Sequence, residues 1–355
     1  MSTSDKSENK TQNSLADSLL AIVLLLIISG LSLAYTLGLL YQKTSGKLSI
    51  PWPSSPDTTI LSTNKTVFKN YWKSPDADAI ADPAYKETVM YGKALIAETA
   101  KYLGPEGIVA TLSNGMNCQN CHLDAGTKIF GNNYGSVAST YPKFRARSGT
   151  MENIYKRVND CFERSLNGKP LDTLSKEMQA IKTYIEFVGS NVKKGEKAAG
   201  SGLKDLPFPE RAANPEQGEK YYIEKCQVCH GKNGEGVKAV DQPVYTYPPL
   251  WGPHSYNDAA GLYRISNFAR YIKFNMPLGA SHQNPMLTDD EAWDIAAFVN
   301  SKPRPHKNAP MDWPDISKKP IDHPFGPYVD SFSVNQHKYG PFRPIAAFYE
   351  NYKKK

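Results

Sequence analysis

Two short cysteine and histidine motifs are the residues of this sequence whose spacing most clearly predicts chemistry. Cys-Gln-Asn-Cys-His occupies residues 118–122, and Cys-Gln-Val-Cys-His occupies residues 226–230. This C-x-x-C-H pattern is the attachment site of a c-type haem, because each cysteine can bond to one vinyl group of the porphyrin while the adjacent histidine binds the iron. We therefore expect two covalently bound c-type haems, attached through Cys118, Cys121, Cys226 and Cys229, with His122 and His230 as proximal iron ligands.

Paired cysteines also occur in redox dithiols and in four-cysteine zinc sites. Neither site needs a histidine directly after each pair, whereas a haem iron does. The repeated histidine therefore favours haem over a dithiol or zinc.

The residue on the other side of each iron decides whether a haem only transfers electrons. In the second half, Met276 precedes Pro277, which favours an extended turn before the last helix, and we expect its thioether to bind the second iron. Met286, next to the start of that helix, is the competing residue. Histidine and methionine together raise the reduction potential, which is typical of an electron-transfer haem.

The first half offers a different residue to its iron. Cys161, the fifth cysteine, shares one predicted helical face with Ile154, Val158 and Phe162, so its side chain should point inward. A buried cysteine that only fills space is the simpler interpretation, and Met151 is a second candidate ligand. The spacing alone leaves these alternatives open.

The sequence around Cys161 is basic, with a net charge of +4 between residues 143 and 169. The charged residues are Lys143, Arg145, Arg147, Glu152, Lys156, Arg157, Asp160, Glu163, Arg164 and Lys169. Such a run is usually a solvated face, but arginines near an iron would concentrate small dianions there. Nucleic acid is not an expected partner, since binding it would call for a larger basic field and aromatic stacking motifs.

The elements that position these residues are predicted to be helices. One helix is indicated before each motif, at 92–99 and at 218–225, the second beginning near Asn214. Each half also ends in a helix, and Thr288 with Glu291 forms a capping signal for the second of these. The apolar face of the first is formed by Leu174, Met178, Ile181, Ile185 and Val188. Strand-like alternation is missing between the motifs, so the predicted fold class is all-α, with two cytochrome c-like (class I) haem domains in tandem.

Composition divides the rest of the chain. Residues 193–212 are charged and rich in glycine and proline, and are predicted to link a first haem domain at 85–192 to a second haem domain at 213–302. Residues 303–355 are rich in proline and aromatic residues, and are predicted to form an irregular tail that packs on the domains.

The N-terminal region contains a long uncharged run. No charged residue occurs from Ser18 to Gln42, which is long enough to span a bilayer. We expect a retained transmembrane helix at 18–42, after a cytoplasmic segment at 1–17 and before a connecting segment at 43–84; a cleaved signal peptide is the alternative. Lysines after the span favour a cytoplasmic body by the positive-inside rule. The haem motifs require an exported chain, however, so we expect a periplasmic protein anchored to the cytoplasmic membrane.

The overall composition is that of a folded body. The chain has 355 residues, of which 40% are hydrophobic and 22% charged, and this argues against wholesale disorder and against a polytopic membrane protein. The net charge of +7 is compatible with several kinds of anionic partner and does not choose between them.

Three runs of residues resemble the dihaem thiosulfate dehydrogenase/tetrathionate reductase family. They are 117–126, 141–149 and 157–168, and the stretch Asn-Asp-Cys-Phe-Glu-Arg-Ser within the last is the most specific. The similarity continues through 248–252 and the Met276-Pro277 pair, and covers about residues 85–305. The uncharged N-terminal run and the tail lie outside this region.

The resemblance implies a reaction and a site. Family members interconvert thiosulfate and tetrathionate, and a cysteine is the distal ligand of their first, catalytic haem while arginines and a serine line the anion pocket. On this chain those residues are Cys161, Arg147, Arg157 and Ser165. Following proposals for the family, the cysteine would leave the iron and carry a covalent thiosulfonate that a second thiosulfate resolves. Some members place a lysine before the methionine as an exchanging ligand; Asn275 stands there, so we expect no such exchange.

The predicted partners are thiosulfate, tetrathionate and a redox partner, either a small cytochrome c or a membrane quinol/cytochrome system. Two rival functions remain. A non-catalytic dihaem electron carrier needs the same motifs but gives no reason for a cysteine among arginines. A Sox-type cytochrome also uses histidine and cysteine ligation, but acts on a sulfur-carrier protein.

Overall fold

The structure is a computed structural model that describes residues 25–27, 29, 32, 36, 70–240 and 244–354. The chain divides into two compact units, Met1–Phe68 and Lys69–Lys355. Both haem motifs and all elements named below lie in the second unit.

The prediction of a transmembrane helix needs correction. Within the described residues no helix is both long enough and apolar enough to cross a membrane, so the single transmembrane helix of our predicted fold class is not supported. A helix needs roughly 20 apolar residues to cross a bilayer. Most of 18–42, all of 1–17 and the greater part of 43–84 lie outside the described residues.

The second unit is mainly helical. Its α-helices are α1 Pro83–Ala97, α2 Thr99–Leu103, α3 Leu123–Gly126, α4 Val137–Thr140, α5 Ile154–Arg164, α6 Lys176–Val188, α7 Pro215–Lys225, α8 Gln227–His230, α9 Ile265–Asn275, α10 Asp289–Ser301, α11 Val334–Tyr339 and α12 Arg343–Tyr352. Short 3₁₀ turns occur at Ala77–Ala79, Cys118–Asn120, Gly261–Tyr263 and Ile316–Lys318.

Three small antiparallel sheets, each of two strands, occur in the described residues. They pair β1 (Gly131–Asn133) with β4 (Gly202–Leu203), β2 (Lys143–Arg145) with β3 (Thr150–Glu152), and β5 (Val237–Lys238) with β6 (Tyr245–Tyr247). Strands of two or three residues are too short to show the alternation by which strands are found in a sequence.

Each half is built around a close crossing of two helices. In the first half α1 packs on α6, and in the second α7 packs on α10. A Cβ atom at Gly92 of α1 would lie 2.1 Å from the carbonyl oxygen of Ala180, and one at Gly218 of α7 would lie 1.9 Å from that of Asp294. Only glycine allows so close an approach. The two halves therefore repeat one packing arrangement, and each has its own hydrophobic core.

The predicted helix starts are confirmed in the second half. Asn214 Oδ1 accepts a hydrogen bond from the backbone N–H of Glu216 at 2.8 Å and begins α7. Thr288 and Glu291 form a reciprocal capping box at the start of α10. The apolar face of α6 is buried as predicted except at Leu174, which precedes the helix and is 85% exposed.

The tail that we expected to be irregular contains two helices. Ser333 caps α11, since its hydroxyl accepts from the backbone N–H of Gln336 at 3.1 Å, and Pro344 occupies the first turn of α12. Proline is well tolerated in a first helical turn, so a proline-rich composition does not exclude helices. Phe342 and Ile345 are fully buried in the core of the second half.

Candidate active site

The first cysteine motif forms a 3₁₀ turn that is tied to α2. The backbone N–H of Cys118 donates to the hydroxyl of Thr99 at 2.9 Å. Asn117 connects the turn to α2 through two hydrogen bonds. Its backbone N–H donates to Asn120 Oδ1 at 2.7 Å within the turn, and its side-chain Oδ1 accepts from the backbone N–H of Ala100 at 2.8 Å. These bonds fix the two cysteines relative to the helices of the first half.

His122 is oriented by its neighbours. Its Nδ1 donates to the carbonyl oxygen of Asn132 at 2.6 Å, and its ring centroid lies 4.7 Å from that of Tyr134. A carbonyl partner requires the proton on Nδ1, which leaves the Nε2 lone pair free to bind a metal. Burial lowers the pKa of His122 to about 4, so the neutral form is retained.

Cys161 faces the same cavity as this histidine. Asn153 begins α5 by accepting a hydrogen bond from the N–H of Lys156 at 2.9 Å, and Cys161 follows two turns later. The cavity has a volume of about 670 Å³. Its lining is mostly apolar but includes Cys118, Cys121, His122, Arg157, Cys161 and Ser165. Met151, the other candidate ligand, is 63% exposed and lies outside this lining.

The second motif has a corresponding arrangement. Cys226 follows α7, and His230 Nδ1 donates to the carbonyl oxygen of Pro248 at 2.9 Å, which again leaves Nε2 free. A cavity of about 1400 Å³ is lined by Cys226, Cys229, His230 and Met276 among aromatic and aliphatic side chains. Met286 is 47% exposed and is outside this lining.

Both cavities fit a c-type haem. Each presents two unpaired thiols, one imidazole with a free Nε2, and a sulfur atom from a separate segment, within largely apolar walls. These are the donors that attach a porphyrin and complete the coordination of its iron.

The two haem cavities share a wall. Asn120 and Cys121 of the first motif also line the second cavity. Tyr271, which lies on α9 and is 5% exposed, donates its hydroxyl proton to the carbonyl oxygen of Asn120 at 2.6 Å. The segment that would carry the first haem is thus bonded to a helix that encloses the second.

A cationic cavity of about 1470 Å³ adjoins the first haem cavity. The two share Cys121, His122, Arg157, Cys161 and Ser165. Its basic lining residues are Arg145, Arg147, Arg157, Arg164, Arg264, Arg270 and Lys318, and Asp160 is the only acid among the described residues that line it. This charge distribution favours small anions beside Cys161.

The arginines differ in how their charges are compensated. Arg164 forms a two-point ion pair with Asp312, at 2.8 and 2.9 Å. Arg264 donates to buried Asp322. The guanidinium of Arg157 has no hydrogen bond or ion pair to any described residue, although its backbone N–H donates to the carbonyl oxygen of Asn153 at 3.1 Å. Its pKa is raised above the usual value, chiefly by the charge of the Cys161 thiolate one helical turn away.

Arg157, Cys161 and Ser165 lie four residues apart along one face of α5 and its C-terminal cap. Residues at this spacing are neighbours on a helix surface. The predicted residues Arg147, Arg157, Cys161 and Ser165 all line the cationic cavity, so the structure brings them together.

The sequence did not indicate the contributions from distant segments. Arg264 and Arg270 come from the second half, and Trp313 and Lys318 come from the tail. No local pattern marks these residues; the aromatic content of the tail was the only hint that it packs on the body. Lys143, Lys156 and Lys169, by contrast, are not in the lining.

Two family models match the chain. The model described as the SoxA/TsdA cytochrome c domain matches residues 109–193, and the cytochrome c model matches residues 215–302.

Several curated proteins are similar over most of their length. The thiosulfate dehydrogenase of Psychrobacter arcticus is 36% identical over 270 residues, which cover 76% of this chain and 80% of that protein. The thiosulfate dehydrogenase of Allochromatium vinosum is 35% identical over 235 residues, covering 65% and 83%. A solved structure, the thiosulfate dehydrogenase TsdBA from Marichromatium purpuratum, matches with a TM-score of 0.61 at 30% identity. That match covers 67% of this chain and 50% of the solved chain, so this chain spans about half the length of that protein.

Proposed function

This chain belongs to the thiosulfate dehydrogenase family of dihaem cytochromes c, and from that premise we propose how its residues interconvert thiosulfate and tetrathionate. It is an oxidoreductase acting on these two sulfur anions, and it contains two c-type haems. Joining two thiosulfates through a sulfur–sulfur bond releases two electrons. The two haems, when bound, would supply the one-electron redox chemistry that accepts these electrons.

One observation supports the assignment of residues more than any other: a thiol, a free imidazole nitrogen and a cationic cavity meet at one place. We infer that His122 and Cys161 are the iron ligands of the first haem, which Cys118 and Cys121 attach. His230 and Met276 bind the second iron, and Cys226 and Cys229 attach that porphyrin.

Arg157 binds the first substrate dianion in this proposal. Its guanidinium lacks a carboxylate partner and borders both the haem cavity and the cationic cavity. A charge-assisted hydrogen bond contributes about 1.5–3 kcal/mol. Arg147 and the hydroxyl of Ser165 complete the pocket, and the positive field offsets the repulsion between two approaching dianions.

Cys161 also carries the substrate covalently. Its thiolate bonds to the outer sulfur of thiosulfate, which releases two electrons and leaves a Cys161 thiosulfonate, Cys–S–S–SO₃⁻. A second thiosulfate then attacks that same outer sulfur. The bond to Cys161 breaks, tetrathionate leaves, and the thiolate is regenerated without further electron transfer.

The Cys161→Ala variant tests these roles. We expect turnover of both thiosulfate and tetrathionate to fall by about two orders of magnitude or more, because one residue is both ligand and nucleophile. The absorption spectrum of the first haem should change as well. Met151→Ala is the matched control, since Met151 is exposed, and it should keep wild-type spectra and rates. Near wild-type turnover in Cys161→Ala would refute the proposal.

His230 and Met276 would hold the haem that exchanges electrons with a redox partner, either a small cytochrome c or a membrane quinol/cytochrome system, in the periplasm. Val228 within the second motif is 85% exposed and Leu278 beside Met276 is 80% exposed, which supports access of a partner to this edge. Activity of the purified protein with the small anions alone separates this function from a non-catalytic carrier and from a Sox-type cytochrome.

A further inference from the structure

The tail encloses part of the catalytic side of the molecule. The cytochrome c model match ends at residue 302, and the chain then passes over the first half. The backbone N–H of Trp313 donates to the carbonyl oxygen of Arg147 at 2.6 Å, and Lys307 forms an ion pair with Glu163 at 3.4 Å. A Cβ atom at Gly149 would lie 2.6 Å from the ring of Pro314, so the contact is tight.

A second polar cavity, which we call the tail cavity, lies behind this contact. It has a volume of about 1300 Å³, and residues 306–327 of the tail form most of its wall. It shares Arg147, Arg264 and Trp313 with the cationic cavity beside Cys161. The tail cavity is therefore a neighbour of the proposed substrate site.

Most cations of the tail cavity have carboxylate partners. Arg264 pairs with Asp322, Lys307 pairs with Glu163, and Arg147 lies 3.9 Å from Asp312.

Lys319 is the exception. It is only 7% exposed and has no ion pair to any described carboxylate; its Nζ donates to the carbonyl oxygens of Phe325 and Pro327, at 3.2 and 2.9 Å. Burial lowers the pKa of Lys319. The nearby charge of Asp312 partly opposes this shift, and the Nζ atom lies 5.5 Å from the centroid of the Tyr328 ring. A buried ammonium with no directly bonded carboxylate is unfavourable, and two carbonyl partners leave one of its three N–H groups for an anion.

We propose that the tail cavity is a second oxyanion-binding site, in which Lys319 and Arg147 hold one substrate dianion beside the first. The identity of the ligand rests on the proposed function, which requires two thiosulfates to meet although they repel each other. A neighbouring cationic site lowers the cost of placing the second dianion close to Cys161. Arg147 and Trp313 lie where the two sites adjoin.

Selenate tests the site directly, because it is a tetrahedral dianion whose selenium is located by anomalous scattering. In crystals of the oxidised holoprotein we expect a selenium peak about 4 Å from Lys319 Nζ, where a selenate oxygen can accept a hydrogen bond from the ammonium group. The peak should be lost in Lys319→Met and retained in Lys319→Arg. If the wild type shows no peak there, the proposal is wrong, and this result does not depend on the stability of any variant.

Kinetics provide the second measurement. In Lys319→Met we expect the half-saturating thiosulfate concentration to rise about five- to ten-fold while kcat and the haem spectra stay within two-fold of wild type. Lys302→Met is the matched control, since Lys302 lies over the ring of Phe298 outside both cavities, and it should behave as wild type. An unchanged half-saturating concentration in folded Lys319→Met contradicts the proposal. If the wild type turned over neither anion, the proposed function would be wrong. The selenium peak would still show whether the tail cavity binds an oxyanion at Lys319.

Discussion

Among the arginines near Cys161, Arg157 differs from Arg164 and Arg264 because its side chain has no carboxylate partner among the described residues. Arg164 and Arg264 each hold a carboxylate, so their charges are largely committed to the fold. Arg157 shares its face of α5 with Cys161 and has no described acidic partner. Its charge is therefore the one most available to an anion in the pocket.

The Arg157→Gln variant should lose substrate binding and catalysis together. We expect kcat/KM for thiosulfate to fall by roughly 10–100-fold, which corresponds to the loss of one charge-assisted hydrogen bond of about 1.5–3 kcal/mol. Lys169→Gln is the control, because Lys169 belongs to the same basic stretch but is exposed and outside the cavity lining. Equal effects of the two variants on kcat/KM would show that Arg157 acts only through the general positive field.

The chemistry of individual residues was largely predictable from local sequence. The cysteine and histidine motifs predict their cofactor directly. The helical face through Ile154, Val158 and Cys161 was sufficient to predict that the thiol points inward. The uncompensated charge of Arg157 could not be predicted, because the carboxylates that neutralise its neighbours, Asp312 and Asp322, lie far along the chain.

At the scale of elements, the residues at which helices begin were predicted well. Which segments form helices was predicted less well. The capping box at Thr288 is a local arrangement, and it is present in the structure. The two tail helices were missed because composition, rather than periodicity, guided that prediction. The predicted transmembrane helix at 18–42 has no support among the described residues, for a related reason: hydropathy describes the solvent a segment prefers and does not by itself establish a spanning helix.

The paired helix crossings give a prediction at this scale. Gly218→Ala places a methyl group against the backbone carbonyl of Asp294, so α7 and α10 must separate. We expect a loss of about 1–3 kcal/mol in the free energy of unfolding, typical of overpacking, measured on the holoprotein by denaturant titration.

Gly261→Ala is the matched control, because a Cβ atom at Gly261 meets no atom within 4 Å. Its free energy of unfolding should stay close to that of the wild type. A Gly218→Ala protein as stable as Gly261→Ala would mean that the crossing can relax at little cost.

For the whole molecule, the arrangement of the two halves matters more than either half alone. The repeated motifs predicted two haem sites, but spacing along the chain cannot say that the sites share a wall. Nor can it say that the cationic cavity draws residues from both halves and the tail, such as Arg157, Arg270 and Lys318. These contacts depend on tertiary packing, for which a single sequence offers no pattern.

The shared wall makes Tyr271 a residue that fixes the distance between the haem sites. In Tyr271→Phe the hydrogen bond to the carbonyl of Asn120 is lost and that carbonyl is left without its partner, so the wall should loosen. We expect electron transfer between the haems, followed by stopped-flow spectroscopy, to slow several-fold.

Tyr222→Phe is the control, since the Tyr222 hydroxyl donates to the carbonyl oxygen of Gly231 at 2.6 Å, directly after the second motif and away from the Asn120 carbonyl. Both variants should lose a similar amount of stability, about 1–3 kcal/mol, while only Tyr271→Phe slows the transfer. Equal transfer rates in the two variants would show that the wall does not depend on this bond.

The contribution of Trp313 and Lys318 to the cationic cavity has a consequence for how the protein is made. These residues are synthesised well after the first haem motif, so that motif can receive its porphyrin while one side of the pocket is still open. Anion recognition is completed only when residues 303–355 fold across the pocket. A product that stopped near residue 302 would therefore lack an intact substrate pocket, and it would also lack the Phe342 and Ile345 side chains that are buried in the core of the second half.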